Sequence, residues 1–236
     1  MKAEFLYHSG DDLSVVNAAK VSFDKMSTWE KELVTKSSDG MYMLAEWETF
    51  YKDKGLSKKD IGLVNYLAKH NHWTPFAHNS ITLRMKAPVP IRTQCFKHKA
   101  GFVENEESRR YISSTPTIFV PLELRKAPEG SIKQGSAGVH PESEEWLKNY
   151  VKVCEDALYM YEAAVEDGVC PEQARFMLPQ ACEVQWIWTG NLAAYARFFN
   201  QRTDDHAQKE VQDLATEVGK LIEPLFPISW KALTQW

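Results

Sequence analysis

The chain has 236 residues, 44% of them hydrophobic and 25% charged, which is enough for one large domain with a sizeable core. The formal net charge of −4 argues against broad binding to nucleic acid or to an anionic membrane surface. No apolar run approaches the roughly 18 residues of a membrane-spanning helix, and the first residues match no signal or transit peptide. Four widely spaced cysteines without a CxxC pair are typical of reduced thiols, so we expect a cytoplasmic protein.

The first half of the chain predicts short strands alternating with helices. In chain order these are a strand at 3–9, helical turns at 13–23, a helix-rich stretch at 44–70, a strand at 79–88 and a short helix from 90. Within the helix-rich stretch, Ser57 is the predicted N-cap of a helix that buries Val64 and Leu67.

The second half predicts mostly helix after a loop insertion rich in Gly, Pro and Ser at 127–141, which we expect to be a connector. A long helix at 141–168, a short one at 170–179, a buried strand at 183–190 and helices at 191–202 and 205–226 follow. The chain has no internal repeat and no second compositional block. We therefore predict a single α+β domain over residues 1–236.

Several familiar catalytic motifs are missing from the chain. Neither GxGxxG, a Walker A loop nor GxSxG occurs, so a nucleotide would be held by side chains and helix ends. The cluster of His70, His72 and His78 suggests a metal-dependent hydrolase as one hypothesis. No Asp, Glu or Cys nearby completes a ligand set, which favours loop histidines with polar partners, and we predict no metal.

The segment KHKAGFVENEESRRY, residues 97–111, is dense in charge of both signs. A buried strand would not tolerate it and a plain surface loop would not need it. Its cations and His98 suit phosphates, and Glu106 and Ser108 suit a base edge or sugar hydroxyls. The alternative is a solvated turn with internal ion pairs.

A second polar cluster occupies NLAAYARFFNQRTDDHAQ, with Asn191, Arg197, Arg202 and His206 on or beside helices. The tryptophans at 186 and 188 just upstream are expected to fill the core. Two polar clusters around an aromatic-rich centre predict a large, polyanionic and partly aromatic ligand.

Seven motifs in order, from residue 17 to residue 208, resemble the flavin-dependent thymidylate synthases, a family unrelated to the enzymes that use a cysteine nucleophile. They are NAAKVSF, HWTPFAH, KAP, KHKAGFVENEESRRY, ARFMLP, WIWTGN and RTDDHAQ. The family signature is Arg-His-Arg, seven residues and Ser. Here Lys97 and Lys99 replace both arginines, and eight residues separate Lys99 from Ser108.

The resemblance implies a central, mostly antiparallel sheet flanked by helices, and a homotetramer with shared active sites. The implied reaction is reductive methylation of dUMP to dTMP, in which 5,10-methylenetetrahydrofolate gives the carbon and FAD, reduced by NADPH, supplies the hydride. No protein nucleophile is required. Cys95 lies among apolar residues on the predicted helix that leads into the signature, so we expect it to pack in the core.

Site residues carried over from the resemblance fall into three groups. The dUMP group is Gln94, Lys97, Glu106, Ser108, Arg109, Arg110, Arg175 and Arg202. The FAD group is Ser22, Thr74, Lys97, His98, Lys99, Glu106, Asn191, Arg197 and His206. His72 is implied on the folate side, and Arg202 is the implied catalytic residue, which contacts the pyrimidine and favours ionisation at its N3.

Two other classes stay open from the residues themselves. One is a different enzyme, either another flavoprotein or a nucleotide hydrolase that uses the histidines. The other is a non-catalytic protein that binds nucleotides or single strands through the basic segment and exposed tryptophans. A yellow colour of the purified protein separates a flavoprotein from both.

Overall fold

A computed structural model of the chain describes residues 1–37, 47–130 and 135–235. The strands are β1 (Lys2–Ser9), β2 (Glu30–Ser37), β3 (Trp47–Gly55), β4 (Ser80–Pro88), β5 (Phe102–Glu106) and β6 (Glu183–Gly190). Four of them form the central sheet in the order β1-β4-β6-β5, and every neighbouring pair is antiparallel. Strands β2 and β3 form a separate antiparallel pair.

Helices flank the central sheet. They are α1 (Asp12–Lys20), α2 (Lys58–Lys69), α3 (Val89–Cys95), α4 (Ser143–Glu166), α5 (Pro171–Ala174), α6 (Leu192–Arg202), α7 (Lys209–Ile222) and α8 (Pro227–Thr234). Short 3₁₀ turns occupy Val21–Phe23, Thr74–Ala77 and Arg175–Met177. Within the described parts of the chain, no helix is both long and apolar enough to cross a membrane.

The core lies between the sheet and the C-terminal helices. Alternate residues of β4, such as Leu83 and Met85, are completely buried, as a strand with one apolar face requires. Trp186 and Trp188 of β6 lie in the same core, so the prediction that they fill it is confirmed. Helix α7 contributes a continuous apolar stripe of Val211, Leu214, Ala215, Val218 and Ile222.

Most predicted elements in and around the central sheet are confirmed. The fold is α+β with an antiparallel sheet, and the strands around residues 3–9, 79–88 and 183–190 are all present. Ser57 caps α2 as predicted, because its Oγ accepts a hydrogen bond from the Asp60 amide at 3.1 Å.

Two expectations about local structure are wrong. The described end of the supposed helix-rich stretch, Trp47–Gly55, is strand β3, whereas residues 44–46 lie outside the described residues. The charged segment contains a strand, β5, which the sequence did not predict. An edge strand tolerates this composition because only Phe102 is buried, while residues such as Val103 and Asn105 face solvent.

The predicted loop at 127–141 is described except for residues 131–134. Its base is closed by backbone hydrogen bonds, since the Lys126 amide donates to the Gly138 carbonyl and the Ala137 amide donates to the Lys126 carbonyl, each at 2.9 Å. Beside this base, Arg125 forms an ion pair with Glu210 of α7, in which its Nη2 donates to both carboxylate oxygens at 2.7 and 2.9 Å. The role of the loop as a connector stays a prediction.

A buried carboxylate joins the two ends of the chain and yields a stability prediction. Asp12 is 2% exposed and accepts hydrogen bonds from the amides of Ile228 and Ser229, at the start of α8. Asp12→Ala leaves both donors unpaired, the Ser229 amide being buried and the Ile228 amide partly buried, and should lower the free energy of unfolding by roughly 2–3 kcal/mol in urea titrations. Asp213→Ala, at an exposed helix position, is the control and should cost less than about 0.5 kcal/mol. Equal losses would contradict the capping role.

Candidate active site

The first cavity lies where β5 ends against residues 175–184, and we call it the arginine cavity because three arginines line it. Its volume is about 510 Å³, which suits a small molecule. The lining residues are Val89, Arg92, Glu106, Glu107, Ser108, Arg109, Arg175, Phe176, Leu178, Pro179, Gln180, Cys182 and Val184. Residues from the signature segment and from the ARFMLP motif, distant in sequence, therefore meet at one site.

Sheet pairing positions the acidic side of this cavity. The Glu107 amide donates to the Gln185 carbonyl at 2.9 Å, so β5 stays attached to β6 one residue beyond its last strand residue. At the other end, Phe102 stacks on Trp188 with 4.1 Å between ring centroids. Gly190 leaves room for that ring, because a Cβ there would lie 2.4 Å from Phe102. These contacts hold both ends of an otherwise exposed edge strand.

Charges of both signs face the arginine cavity. Arg92 lies 3.2 Å from the Glu106 carboxylate, and Arg109 lies 3.9 Å from Glu107. Burial raises the pKa of Glu106, while the charge of Arg92 opposes that rise and the charge of Glu107 adds to it. Three arginines against two carboxylates leave the site attractive to an anion such as a phosphate.

The second cavity, which we call the α6 cavity, runs along α6 from Asn191 to Gln201 and has a volume of about 650 Å³. Asn191 caps this helix, since its Oδ1 accepts from the Ala194 amide at 2.9 Å. Gly101 has φ +81°, and a Cβ there would come within 2.9 Å of Asn191 and Ala194, so the position needs glycine. Arg197 donates to the carbonyl of Ala100 on the same wall.

Arg202 joins the end of α6 to the signature segment. Its Nε donates to His98 Nε2 at 2.9 Å, and its Nη2 donates to the Gln94 carbonyl at 3.2 Å. Gln94 lies in the last turn of α3, where its carbonyl also accepts from the Lys97 amide at 3.3 Å and where a cation is favourable. Because His98 accepts at Nε2, the neutral ring carries its proton on Nδ1. Burial, assisted by the charges of Arg202 and Arg197, lowers the pKa of His98 to about 4.

Four of the predicted dUMP residues line the arginine cavity, and four do not. Those inside are Glu106, Ser108, Arg109 and Arg175. Of the others, Gln94 donates to Gln208 at 2.7 Å, Arg110 pairs with Glu172 at 3.2 Å, Arg202 holds His98, and Lys97 is exposed.

The predicted FAD and folate residues do not all line one cavity. Asn191 and Arg197 line the α6 cavity, and His72 and Thr74 are sequence neighbours of its wall residue Trp73. Ser22, Lys99 and His206 are exposed and line neither cavity, Lys99 pairing with Glu104 and His206 with Asp204. One chain therefore does not bring this whole group together.

Sequence reasoning missed Arg92. It lies on α3, one helical turn before Phe96, and its guanidinium carbon is 5.2 Å from that ring. The proline-led helix was predicted, but its arginine had no visible partner until β5 placed Glu106 beside it. Only the partner's position in the folded chain could have identified this residue.

The geometry gives little support to the hypothesis of a metal-dependent hydrolase that uses His70 and His72. The ring of Tyr66 lies 4.4 Å from that of His70 and 6.1 Å from that of His72. Across the described residues, no three His, Cys, Asp or Glu side chains converge as metal ligands.

Cys95 is completely buried, which confirms its predicted packing, and burial raises the pKa of its thiol to about 12.

Comparison with known proteins gives a consistent set of similarities. The family model described as "Thymidylate synthase complementing protein" matches residues 4–228. A flavin-dependent thymidylate synthase of Thermosipho melanesiensis is 30% identical over 232 residues, 96% of this chain and 87% of that one. A protein of the same name from Dictyostelium discoideum is 29% identical over 180 residues, 75% of this chain and 59% of that one.

A solved structure shares the fold. The UMP/dUMP methylase PolB from Streptomyces cacaoi, bound with 5-Br dUMP, has a TM-score of 0.78 and 24% sequence identity. The match covers 100% of this chain and 95% of that one. The same arrangement of sheet and helices therefore occurs in both chains.

Because His98 is buried and neutral, we expect the stability of the folded chain to fall on acidification. Unfolded chains take up this proton near the ordinary pKa of 6.5, whereas the folded chain does so only near 4, so acidification across this window favours unfolding. Between pH 7 and pH 5, the wild type should lose about 2 kcal/mol more unfolding free energy than His98→Gln in urea titrations.

The exposed His78 provides the control for this experiment. The variant His78→Gln should show the same loss between the two pH values as the wild type. Equal losses in the wild type and in His98→Gln would contradict a neutral, buried His98.

Proposed function

Because the chain belongs to the family of flavin-dependent thymidylate synthases, as its motifs suggested, we propose that it converts dUMP to dTMP by reductive methylation. In this proposal 5,10-methylenetetrahydrofolate gives the carbon, and FAD reduced by NADPH supplies the hydride. The observation that carries it is the arginine cavity, where Glu106, Ser108, Arg109 and Arg175 come together around about 510 Å³.

The charges of the cavity suit a nucleoside monophosphate in one orientation. Arg109 and Arg175 offer forked donors to the phosphate. Glu106, as a carboxylate, accepts hydrogen bonds from the sugar or base. Ser108 offers a hydroxyl that positions the substrate and does not act as a nucleophile. The remaining predicted dUMP residues, Gln94, Lys97, Arg110 and Arg202, would complete the site in the assembled protein.

The α6 cavity fits part of a flavin nucleotide. Arg197 and Asn191 offer polar contacts to a charged ligand, and the exposed Trp73 offers an aromatic face. Lys97 and Lys99, which are exposed and line neither cavity in the single chain, would offer point charges to the pyrophosphate in place of forked arginine donors. The chain's own residues would bind, orient and shield the reacting groups. His72 would lie on the folate side.

A homotetramer with shared sites is part of the proposal. Large apolar side chains are exposed in this single chain, among them Val153 and Tyr159 on α4 at 65% and 69%. Phe176, a wall residue of the arginine cavity, is 79% exposed. Exposed apolar residues of this kind commonly mark interfaces between subunits. A neighbouring subunit would then bring the FAD group together and cover the cavity.

The cytoplasm is the proposed location. All four cysteines are free thiols, three of them buried, which suits a reducing compartment. We propose no partner other than the small-molecule substrates and further copies of the chain.

The first prediction for function concerns the visible absorption spectrum. Purified protein with added FAD should show a bound-flavin band, and anaerobic NADPH should bleach it faster when dUMP is present. The control is the same mixture with dTMP in place of dUMP. A protein that binds no flavin would contradict the proposal and would favour a nucleotide-binding or hydrolytic function.

The second prediction compares two substitutions of the proposed site. Ser108→Ala removes one neutral hydrogen bond and should lower dTMP formation by about tenfold. Arg202→Ala removes a charged contact to the pyrimidine and should lower kcat by about 1000-fold or more. Arg84→Ala, an exposed arginine of β4, is the control and should keep wild-type activity. A fully active Arg202 variant would refute the assignment.

A further inference from the structure

Arg92 is held from two sides at the wall of the arginine cavity. Its Nη2 lies 3.2 Å from the Glu106 carboxylate, and both side chains are only 24% exposed. Its guanidinium lies over the Phe96 ring, which contacts Trp186 edge-on at 5.6 Å. The ring below Arg92 is therefore fixed by the core, and the guanidinium has little freedom to leave Glu106.

The burial of Arg92 is costly. Its Nε is buried and has no hydrogen-bond partner among the described residues. An unpaired buried donor lowers the stability of the folded chain by on the order of 1–3 kcal/mol. The Arg92–Glu106 pair is therefore poorly explained by stability alone. Such groups call for an explanation, and a role in a binding site is a common one.

Glu106 lies among charges that act in opposite directions. Arg92 approaches it from α3, Glu107 follows it in the chain, and Arg109 and Arg175 line the same cavity. Burial and Glu107 favour its neutral form, and Arg92 favours the carboxylate. Loss of the Arg92 charge would therefore raise the pKa of Glu106 further and remove the cation that holds its carboxylate at the cavity wall.

We propose that Arg92 is a positioning residue for the substrate, because it keeps the Glu106 carboxylate charged and fixed at the wall of the arginine cavity. This inference rests on the proposed function. A charged Glu106 repels the phosphate dianion, which Arg109 and Arg175 attract, and it accepts a hydrogen bond from an N–H or O–H of the nucleoside. The pair thus selects one of two orientations of a nucleoside monophosphate.

The test measures dUMP binding to the FAD-loaded protein by calorimetry at pH 6.5 and pH 8.5. Arg92→Met should weaken binding about tenfold at pH 6.5 and less at pH 8.5, because loss of the Arg92 charge raises the pKa of Glu106 and the higher pH favours its carboxylate. Affinity ratios to the wild type cancel the titration of the dUMP phosphate itself. Arg92→Lys keeps the charge and should stay within about threefold of the wild type at both pH values.

A double-variant cycle separates action through Glu106 from other effects. In the Glu106→Gln background, Arg92→Met should cause no further pH-dependent loss. An equal loss at both pH values, or a full additional loss in the double variant, would overturn the inference. The flavin band and the melting temperature report folding, and Arg92→Gln replaces Arg92→Met if the latter does not fold.

The outcomes distinguish this inference from the proposed function. A wild-type protein that binds flavin but no dUMP overturns the proposed function, and the inference with it. Tight dUMP binding by the wild type and by Arg92→Met, with identical pH dependence, overturns the inference alone.

Discussion

The antiparallel pairing of β4 with β6 is the constraint on which the rest of the structure depends. It joins residues about 100 positions apart, from Ile81 opposite Gly190 to Pro88 opposite Glu183. Helix α3 follows β4 directly and α6 follows β6, so the two helices start at opposite ends of the pair. Helix α6 spans roughly 16 Å and returns along the sheet, which explains how Arg202 at its end meets the last turn of α3.

The charge density of the signature segment follows from the same geometry. Strand β5 pairs with the free edge of β6, with Ala100 and Gly101 at the wall of the α6 cavity and Glu106 to Arg109 at the wall of the arginine cavity. Five strand residues separate the two walls by roughly 17 Å. A segment of both signs therefore reaches two sites, one at each end of a short edge strand.

The polar groups at the two ends of β5 differ in charge and in burial. His98 is buried, neutral and bonded to Arg202, so it supports the backbone between α3 and β5 and adds no charge. Glu106 keeps a cationic neighbour, and the lysines stay exposed. Charge is thus concentrated at the cavity walls and on the surface, where ligands or a second subunit can meet it, while buried carboxylates such as Asp12 are paired with hydrogen-bond donors.

The sequence by itself determined the elements with strong periodicity or a clear cap, such as β4, β6 and the Ser57-capped α2, because their signals lie within a few residues of one another. Motifs in a fixed order also indicated the family. Only the tertiary structure decided that β3 and β5 are strands, that Arg92 pairs with Glu106, and that Arg202 holds His98. Each of these features depends on a partner that is distant in the chain and becomes a neighbour only through strand pairing or packing. The local sequence does not show which distant residue that partner is.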